Sequence, residues 1–433
     1  MKNSGIPWIG DIPKGWNIEN IGSCLKEVHN LNSDCSEDNA LQFKMGTIIS
    51  KKHGDSKYNP ETLEAYNIVQ VGDIVINGLN LSFDFISMRV GQVKENGVIT
   101  SAYLTVRPLS HLDSDYVTYL FKGYDACKAL HGMGKGLRQT LSYKEFRKYL
   151  IFHPSLSEQQ KIASFLDRKC SEIDEMIALQ EKIVEELKAY KQSVVTEAVT
   201  KGLNPDVPMK DSGIEWIGEI PEHWKMCRVK DILEAGKDGI KIGPFGSSLT
   251  NKVNGEGECK IYGQWNIVNK DFTAGKNFVS AETYRELDAY KIVAGDILVS
   301  MMGTIGKCAI IPNGLQDGIM DSHVIKIRIN KNIINPEFFE LMYDKDNSTF
   351  IFEQLSRMKK GSIMDGLNSS IVKRLNLLLP PINEQQEIAS YLLEKRSQID
   401  NLISIKLSKI DSLKEYKKSI IYEYVTGKKE VTE

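Results

Sequence analysis

The sequence repeats itself once, and this duplication constrains the possible fold more than any other feature. Residues 4–16 (SGIPWIGDIPKGW) reappear as residues 212–224 (SGIEWIGEIPEHW). Residues 154–166 (PSLSEQQKIASFL) reappear as residues 380–392 (PPINEQQEIASYL). Because two motifs recur in the same order, we expect two copies of one structural unit.

A third motif sets the register between the two copies. LKAYKQSVV at residues 187–195 matches LKEYKKSII at residues 413–421, with the same spacing of 226 residues as the second motif pair. The opening motifs are only 208 residues apart. The extra residues of the second copy are therefore expected inside its globular part, between its first and second motifs.

The segment between the opening and second motifs has the texture of an α+β domain. It is rich in Gly, Asn and Asp and contains short alternating apolar runs. The runs at residues 73–77 and 102–107 correspond to those at residues 296–300 and 323–328. Such alternation predicts strands with one buried face.

The end of each copy has a helical periodicity. Ser157 and Asn383 each stand three positions before a Gln, which predicts a helix N-cap. Beyond them apolar residues recur at heptad spacing, interrupted at the equivalent Gln180 and Lys406, and this predicts a coiled coil. The predicted seam residues are Leu166, Ile173, Ile177, Val184, Leu187, Val194, Leu392, Ile399, Ile403, Ile410, Leu413 and Ile420.

Symmetry predicts how these parts connect. If a pseudo-twofold axis relates the copies, each long helix runs from its own domain toward the other, so the two helices are antiparallel. We therefore predict an α+β fold in which two duplicated α/β domains, residues 1–155 and 206–381, are separated by a long antiparallel coiled coil. The two spacer helices are assigned to residues 156–205 and 382–433.

Composition excludes several protein classes. The chain carries 55 basic and 57 acidic residues, so its bulk charge neither supports nor excludes a nucleic-acid partner. Seven scattered cysteines without a CxxC motif indicate reduced thiols. No apolar run approaches the ~20 residues of a membrane span, and no signal-peptide core is present. We expect a cytoplasmic protein with no membrane partner.

No catalytic or metal-binding motif stands out. The seven histidines show no His/Cys metal spacing. The run Gly303–Cys308 (GTIGKC) is too short for a phosphate-binding P-loop, and the glycines at 132–136 do not form a dinucleotide fingerprint. We expect no catalytic residue, no metal and no cofactor in this chain.

The repeated motifs resemble those of the specificity subunit of type I restriction-modification systems, and the match covers nearly the whole chain. The residues that carry the resemblance are the SGIxWIGxIPxxW openings at Ser4 and Ser212, the lead-in Leu203-Asn-Pro205, the GLRQTL run at 136–141, and the Pro-x-x-x-Glu-Gln-Gln helix starts at Pro154 and Pro380.

This resemblance implies a division of labour between subunits. Each globular half would be a target-recognition domain that reads one half of a split, asymmetric sequence in double-stranded DNA. The helices would be spacers that dock methyltransferase subunits, two per chain, together with restriction/translocase subunits. S-adenosylmethionine, ATP and Mg²⁺ are then expected on those partner subunits, and this chain is expected to be non-catalytic.

Base readout needs Arg, Lys, Asn or Gln on loops, and phosphate contacts need Lys, Ser or backbone amides. We favour Arg138 and Lys360, which precede the aligned Leu141 and Leu367. The predicted DNA-binding residues are Lys51, Lys52, Asn77, Asn80, Lys135, Arg138 and Gln139 in the first domain, and Lys241, Ser247, Ser248, Gln264, Asn266, Lys359, Lys360 and Ser362 in the second.

Two alternatives stay open on the residues alone. The first is a scaffold with two protein-binding modules on a coiled-coil rod, which predicts no salt-dependent DNA affinity. The second is an enzyme whose glycine-rich loops hold phosphates, which requires a complete motif that the sequence lacks.

Overall fold

Each half of the chain folds around a four-stranded antiparallel sheet. The computed structural model describes residues 1–51, 60–136, 138–236, 239–249, 253–254, 258–358 and 367–432. The chain divides into two compact units: the first unit is Met1–Glu181 with Leu407–Glu433, and the second unit is Lys182–Lys406. Both long helices contribute residues to both units.

The first half consists mainly of short strands, with a few helices among them. Its strands are β1 (Lys2–Asn3), β2 (Asp11–Ile12), β3 (Asn17–Asn20), β4 (Leu25–Glu27), β5 (Leu41–Lys44), β6 (Thr47–Ser50), β7 (Tyr66–Val69), β8 (Ile74–Ile76), β9 (Val90–Gln92), β10 (Gly97–Thr100), β11 (Leu104–Pro108) and β12 (Leu150–His153). Its helices are α1 (Ile21–Cys24), α2 (Ser114–Ala126), α3 (Tyr143–Phe146) and the long α4 (Leu156–Lys201).

The second half follows a similar order. Its strands are β13 (Met209–Asp211), β14 (Glu219–Pro221), β15 (Lys225–Arg228), β16 (Ile240–Ile242), β17 (Val253–Asn254), β18 (Cys259–Tyr262), β19 (Asn277–Val279), β20 (Ile297–Ser300), β21 (Cys308–Ile310), β22 (Gly318–Met320), β23 (Val324–Ile327) and β24 (Asn376–Leu379). Its helices are α5 (Gln264–Asn269), α6 (Ala281–Glu286), α7 (Pro336–Tyr343), α8 (Phe350–Met358), α9 (Ser369–Arg374) and the long α10 (Ile382–Val425).

The two main sheets have matching strand orders. The order is β4-β11-β8-β9 in the first unit and β16-β23-β20-β21 in the second. The alternating runs at residues 73–77 and 102–107 form β8 and β11, and those at 296–300 and 323–328 form β20 and β23. These strand predictions are confirmed, as is the duplicated α+β fold class.

Equivalent ion pairs with a buried carboxylate brace both sheets. Asp73 accepts hydrogen bonds from Nε and Nη2 of Arg107 at 2.6 and 2.8 Å, and Asp296 accepts the equivalent pair from Arg328 at 2.7 and 2.9 Å. Both carboxylates are 1% exposed. The fork geometry makes such pairs strong, and the bond to Asp73 raises the pKa of Arg107.

The extra residues of the second half lie before β20. Asp73 and Asp296 are 223 residues apart, against 208 for the opening motifs, so most of the insertion precedes Asp296. There the second unit builds a further sheet in the order β17-β19-β18-β22, whereas the first unit has the two-stranded pairs β5-β6 and β7-β10.

The predicted N-caps Ser157 and Asn383 are wrong, because both residues lie inside the first turn of α4 and α10. The carbonyl of Ser155 accepts the N–H of Gln159, and the carbonyl of Pro381 accepts the equivalent N–H in α10. Each helix starts almost directly after a strand, so the backbone turns helical before the polar residue that suggested a cap.

The two long helices are antiparallel within the first unit. The ring centroids of Phe165 and Tyr424 are 4.5 Å apart. Further along α4, Asp174 accepts from Nζ of Lys417 at 2.7 and 2.6 Å. Later residues of α4 therefore contact earlier residues of α10, so the two helices run antiparallel, as predicted.

The predicted seam residues are buried or half-buried within each unit. In the second unit Nζ of Lys191 donates to Asp400 at 2.6 Å, at positions equivalent to the pair in the first unit. The buried seam residues are Leu166, Ile173, Ile177, Val184, Leu392, Ile399, Ile410 and Ile420. The half-buried ones are Leu187, Val194, Ile403 and Leu413. Among the described residues, no helix is long and apolar enough to cross a membrane.

Candidate nucleic-acid interface

The repeated motifs build the frame that carries the candidate interface. In the first unit Nε1 of Trp16 donates to Glu158 at 3.2 Å, and in the second Nε1 of Trp224 donates to Glu384 at 3.0 Å. Both indoles are buried, at 4% and 0% exposure. The opening motif of each copy is thereby attached to the first turn of its long helix.

The first glutamine of each Glu-Gln-Gln motif attaches the same turn to the domain. Nε2 of Gln159 donates to the carbonyls of His111 and Pro154 at 3.1 and 3.0 Å, and its Oε1 accepts the N–H of Asp113 at 2.7 Å. Gln385 makes the three equivalent bonds in the second unit. These side chains fix the start of each long helix against the start of α2 or α7.

Two loops meet at one end of the first sheet and form the first loop surface, residues 77–89 and 134–141 without residue 137. The 77–89 loop joins β8 to β9, and the 134–141 loop leads toward α3. The N–H of Leu141 donates to the carbonyl of Gly78 at 2.9 Å. This bond holds the two loops together.

Four predicted DNA-binding residues come together on the first loop surface. Asn80, Lys135, Arg138 and Gln139 are exposed. Asn80 and Gln139 adopt positive φ angles of 52° and 45°, so both lie at sharp backbone turns. Nζ of the exposed Lys135 lies 3.6 Å from the half-buried carboxylate of Glu145, a long contact of modest strength.

The remaining first-domain candidates are placed differently. Asn77 is half-buried, and its Oδ1 accepts the N–H of Leu79 at 3.2 Å, so it shapes the turn. Lys51 follows β6, and its Nζ lies 5.7 Å from the ring centroid of Tyr66. Lys52 lies outside the described residues.

A buried arginine holds the 77–89 loop in shape. Arg89 is 1% exposed, and its guanidinium donates to the carbonyls of Asn77 and Asp84 at 3.2 and 2.7 Å. Its backbone N–H donates to Asp125 at 2.7 Å. Burial raises the pKa of Asp125. The loop is therefore pre-formed by an internal polar network, which reduces the entropy that binding must restrict.

Large apolar side chains project from this loop. Phe83, Phe85 and Ile86 are 75%, 55% and 87% exposed. The ring of Phe85 stacks on His131 with a centroid distance of 4.6 Å and an interplanar angle of 17°. Exposed aromatic rings beside basic groups are suited to stack on bases or to enter a groove.

The first loop surface continues into a basic segment. Residues 134–148 contain five basic residues and one acidic residue, Glu145. The five basic residues are exposed, and they are Lys135, Arg138, Lys144, Arg147 and Lys148. A local positive excess of this kind attracts phosphates even when the whole chain is neutral.

The loop after β20 in the second unit is held like its counterpart. The N–H of Leu367 donates to the carbonyl of Met301 at 2.9 Å, in the place of the bond between the two loops of the first unit. Oε1 of Gln264 accepts from Oγ of Ser300 at 2.5 Å and from the N–H of Met302 at 3.0 Å. Gln264 therefore belongs to this loop cluster.

A cavity of about 470 Å³ opens beside Gln264. Trp265, Asn266, Asp321 and His323 contribute to its lining. Trp265 is 56% exposed. We name this cavity and the adjoining loops, residues 263–266, 300–304 and 321–323, the second loop surface. Its side chains are amide, indole, imidazole and carboxylate, whereas the first loop surface combines amides and phenyl rings with basic groups.

Asn266 is a positioning residue. It is 5% exposed, its Oδ1 accepts the N–H of Gly263 at 3.0 Å, and its Nδ2 donates to the carbonyls of Asp271 and Ala274 at 2.8 and 3.0 Å. These bonds hold the loop that carries Gln264.

The other second-domain candidates are only partly described. Lys241 lies in β16 with its Nζ 5.3 Å from the ring centroid of Tyr290. Ser248 is exposed in a short turn. The side chain of Ser247 and the residues Lys359, Lys360 and Ser362 lie outside the described residues.

Sequence reasoning missed the exposed apolar side chains of the 77–89 loop and three of the five basic residues of the basic segment. The residues it missed are Phe83, Phe85, Ile86, Lys144, Arg147 and Lys148. A charge count in a window of about 15 residues and a search for aromatic residues within turn-rich segments would have found both.

Comparison with known proteins shows which proteins this chain is similar to. The model of the type I restriction modification DNA specificity domain matches residues 221–428. The MjaVIII specificity subunit of Methanocaldococcus jannaschii is 24% identical over 436 residues, covering 96% of this chain and 93% of that protein. The EcoKI specificity subunit of Escherichia coli is 22% identical, covering 60% of this chain and 54% of that protein.

Solved structures share the fold. A chain from a study of complex assembly and conformational transition of the type I R-M system aligns with a TM-score of 0.69 and 14% identity, over 96% of this chain and 99% of that chain. The HsdS subunit from Thermoanaerobacter tengcongensis aligns with a TM-score of 0.53 and 14% identity, over 99% and 100% of the two chains.

Proposed function

Since the chain belongs to the specificity-subunit family of type I restriction-modification systems, we propose that it is the non-catalytic subunit that selects the DNA sequence to be modified. It recognises a bipartite, asymmetric double-stranded target, one half with each domain. The chemistry of methylation and cleavage then belongs to partner subunits, which bind S-adenosylmethionine, ATP and Mg²⁺.

One observation carries this proposal: the same frame presents two unlike loop surfaces. The bonds of Gln159 and Gln385 are equivalent, and so are the ion pairs of Asp73 and Asp296. What differs is the set of side chains on the loops. A duplicated frame with divergent loops is what two readers of two different half-sites require.

The first loop surface supplies the groups that direct readout and phosphate binding need. The guanidinium of Arg138 can pair with O6 and N7 of a guanine, and the amide of Gln139 with N6 and N7 of an adenine. Lys135 and the basic residues that follow it supply phosphate contacts, which set affinity and salt dependence.

The second loop surface recognises its half-site through amide and aromatic groups. Gln264 lies beside the cavity and Trp265 is exposed at its rim. Phe245, on a neighbouring loop of the second unit, is 83% exposed. These residues are suited to base-edge hydrogen bonds and to stacking.

The long helices are proposed to dock the methyltransferase subunits, two per chain, and to bring in the restriction/translocase subunits. Apolar side chains point to solvent along both helices. The exposed ones are Met176, Leu179 and Tyr190 in α4, and Tyr391, Leu393, Leu402, Ile405, Leu407 and Tyr416 in α10. Apolar faces of this kind mark sites where further helices pack.

The first test is co-expression of the chain with its neighbouring methyltransferase gene, followed by sequencing of methylated adenines in the host DNA. We expect one split motif with two unlike halves. Replacing both Lys135 and Arg138 by Ala should weaken binding of that DNA, with the loss of about 1–3 kcal/mol for a bidentate base contact, and relax only one half of the motif.

Lys94→Ala is the matched control. Lys94 is exposed in the same domain. It lies after the last residue of β9, whereas the 77–89 loop lies before the first. The control should leave the motif and the affinity unchanged. A stable complex that adds no methylation, and DNA binding that does not depend on salt, would instead support the protein-binding scaffold.

A further inference from the structure

Three potential metal-ligating side chains gather in the first domain, away from both loop surfaces. Glu19 lies in β3, His153 ends β12, and His111 precedes α2. One ligand atom from each of the three lies within 4.8 Å of the others. Glu19 and His153 are on one face of the β3-β12 pair, since Glu19 pairs with Ile151, two residues before His153.

The separations fit a tetrahedral transition-metal site. Nε2 of His153 is 3.1 Å from Oε1 of Glu19, and Nε2 of His111 is 3.7 Å from Oε2 of Glu19. Zinc–nitrogen and zinc–oxygen bonds of about 2.0–2.2 Å at a tetrahedral angle place two ligand atoms roughly 3.3 Å apart. The three side chains therefore need only small rotations to share one ion.

The carbonyl beside Nδ1 of His153 favours a proton on that nitrogen, which makes Nε2 the ligand atom of the neutral ring. The two amide hydrogens of Gln159 are used by the carbonyls of His111 and Pro154 at 3.1 and 3.0 Å. Nδ1 of His153 lies 3.0 Å from the carbonyl of Pro154, so Nδ1 donates there. In the neutral ring Nε2 is then a lone pair aimed at a carboxylate, and a cation between them removes the repulsion.

The second unit shows that the frame does not need these polar groups. The positions equivalent to Glu19 and His153 are Cys227 and Leu379, by the register of β15 with β24. The position equivalent to His111 is Ile333, whose carbonyl accepts from Gln385. All three of these side chains pack against the apolar core of the second unit. The polar trio is thus specific to the first domain.

We propose that Glu19, His111 and His153 bind a divalent transition metal of the Zn²⁺ class, with water completing the coordination. Imidazole nitrogens and a carboxylate are ligands that such ions favour. His153 is 3% exposed and its Nδ1 contacts the carbonyl of Pro154, whereas the His111 side chain is 43% exposed and leaves one side open to water.

The metal would cross-link three segments of the first domain. It would join β3, β12 and the turn before α2 at the point where Pro154 leads into α4. Because folding assembles ligands that lie 92 and 42 residues apart in sequence, bound metal would favour the folded first domain.

The test uses the full chain without a histidine tag, treated with chelator and titrated with Zn²⁺ or with Co²⁺ as a spectroscopic probe. We expect one equivalent to bind, visible d–d absorption bands with Co²⁺, and a rise in thermal unfolding temperature with Zn²⁺. Loss of a residue that only hydrogen-bonds to a metal ligand typically weakens metal binding by roughly 10–100-fold. His111→Ala and Glu19→Gln each remove a ligand and should weaken Zn²⁺ binding by more than that.

His223→Ala is the matched control, because His223 contacts Glu384 at 2.8 Å in the second unit without a third ligand in the part of the chain that the structure describes. This variant should bind Zn²⁺ like the unmodified chain. Absence of Zn²⁺ binding, or binding that survives His111→Ala with unchanged affinity, would overturn the proposal and leave Glu19 and His153 as a hydrogen-bonded pair.

Discussion

At the residue scale, the most recognisable motif residues of this chain hold the fold together and lie away from the loop surfaces. Glu158 accepts from a buried indole, and Gln159 makes three bonds to backbone groups. Their counterparts Glu384 and Gln385 repeat these contacts. The residues that repeat therefore build the frame, and those that differ between the copies lie on the loops that we propose to read DNA.

Replacing Gln159 by Ala should destabilise the first unit by about 1–3 kcal/mol or more, because buried backbone groups at Asp113, His111 and Pro154 lose their partner. Hydrogen exchange should show faster opening near the start of α2. Gln385→Ala should have the same effect near the start of α7 only. The exposed neighbour Gln160 is the control, and an equal effect of Gln160→Ala would contradict this role.

At the element scale, the long helices combine an apolar seam with paired charges at its edge. Lys417 with Asp174 and Lys191 with Asp400 occupy equivalent positions in the two units. These pairs are partly exposed, so their energetic contribution is modest, and they act mainly on register. Burial of seam residues such as Leu166 and Leu392 provides the larger share of stability.

Replacing Leu187 and Leu413 together by Lys should separate the long helices and prevent assembly with the methyltransferase subunits, since two half-buried seam positions would then carry charge. Circular dichroism and size-exclusion chromatography with the co-expressed partner would measure the loss. Glu185→Lys serves as the surface control, because Glu185 is exposed on α4 near Leu187. An intact complex in the double variant would contradict antiparallel pairing through this seam.

At the scale of the whole molecule, the division into two units allows each half of the proposed DNA target to be read by its own domain. Each unit has its own sheet, ion pair and loop surface. Exchanging residues 1–155 for the corresponding domain of another family member should change one half of the methylated motif and preserve the other. Sequencing of methylated adenines would show this, and a change in both halves would contradict independent reading by the two domains.

Part of the candidate interface was accessible from the sequence. Asn80, Lys135, Arg138 and Gln139 were selected because they lie on glycine-bearing loops, and the structure places them on one surface. The same reasoning also selected Asn266, whose amide is used within its own loop. A loop position and a polar side chain do not reveal whether that side chain faces solvent.

The sequence by itself determined the duplication, the α+β class, the main strands and the two long helices. All of these depend on motifs and periodicities that can be read within short segments. Tertiary structure alone decided that Arg89 shapes a recognition loop, that motif residues lock the helix starts, and that Glu19, His111 and His153 converge. Contacts between distant segments arise from sheet register and packing, which no local pattern encodes.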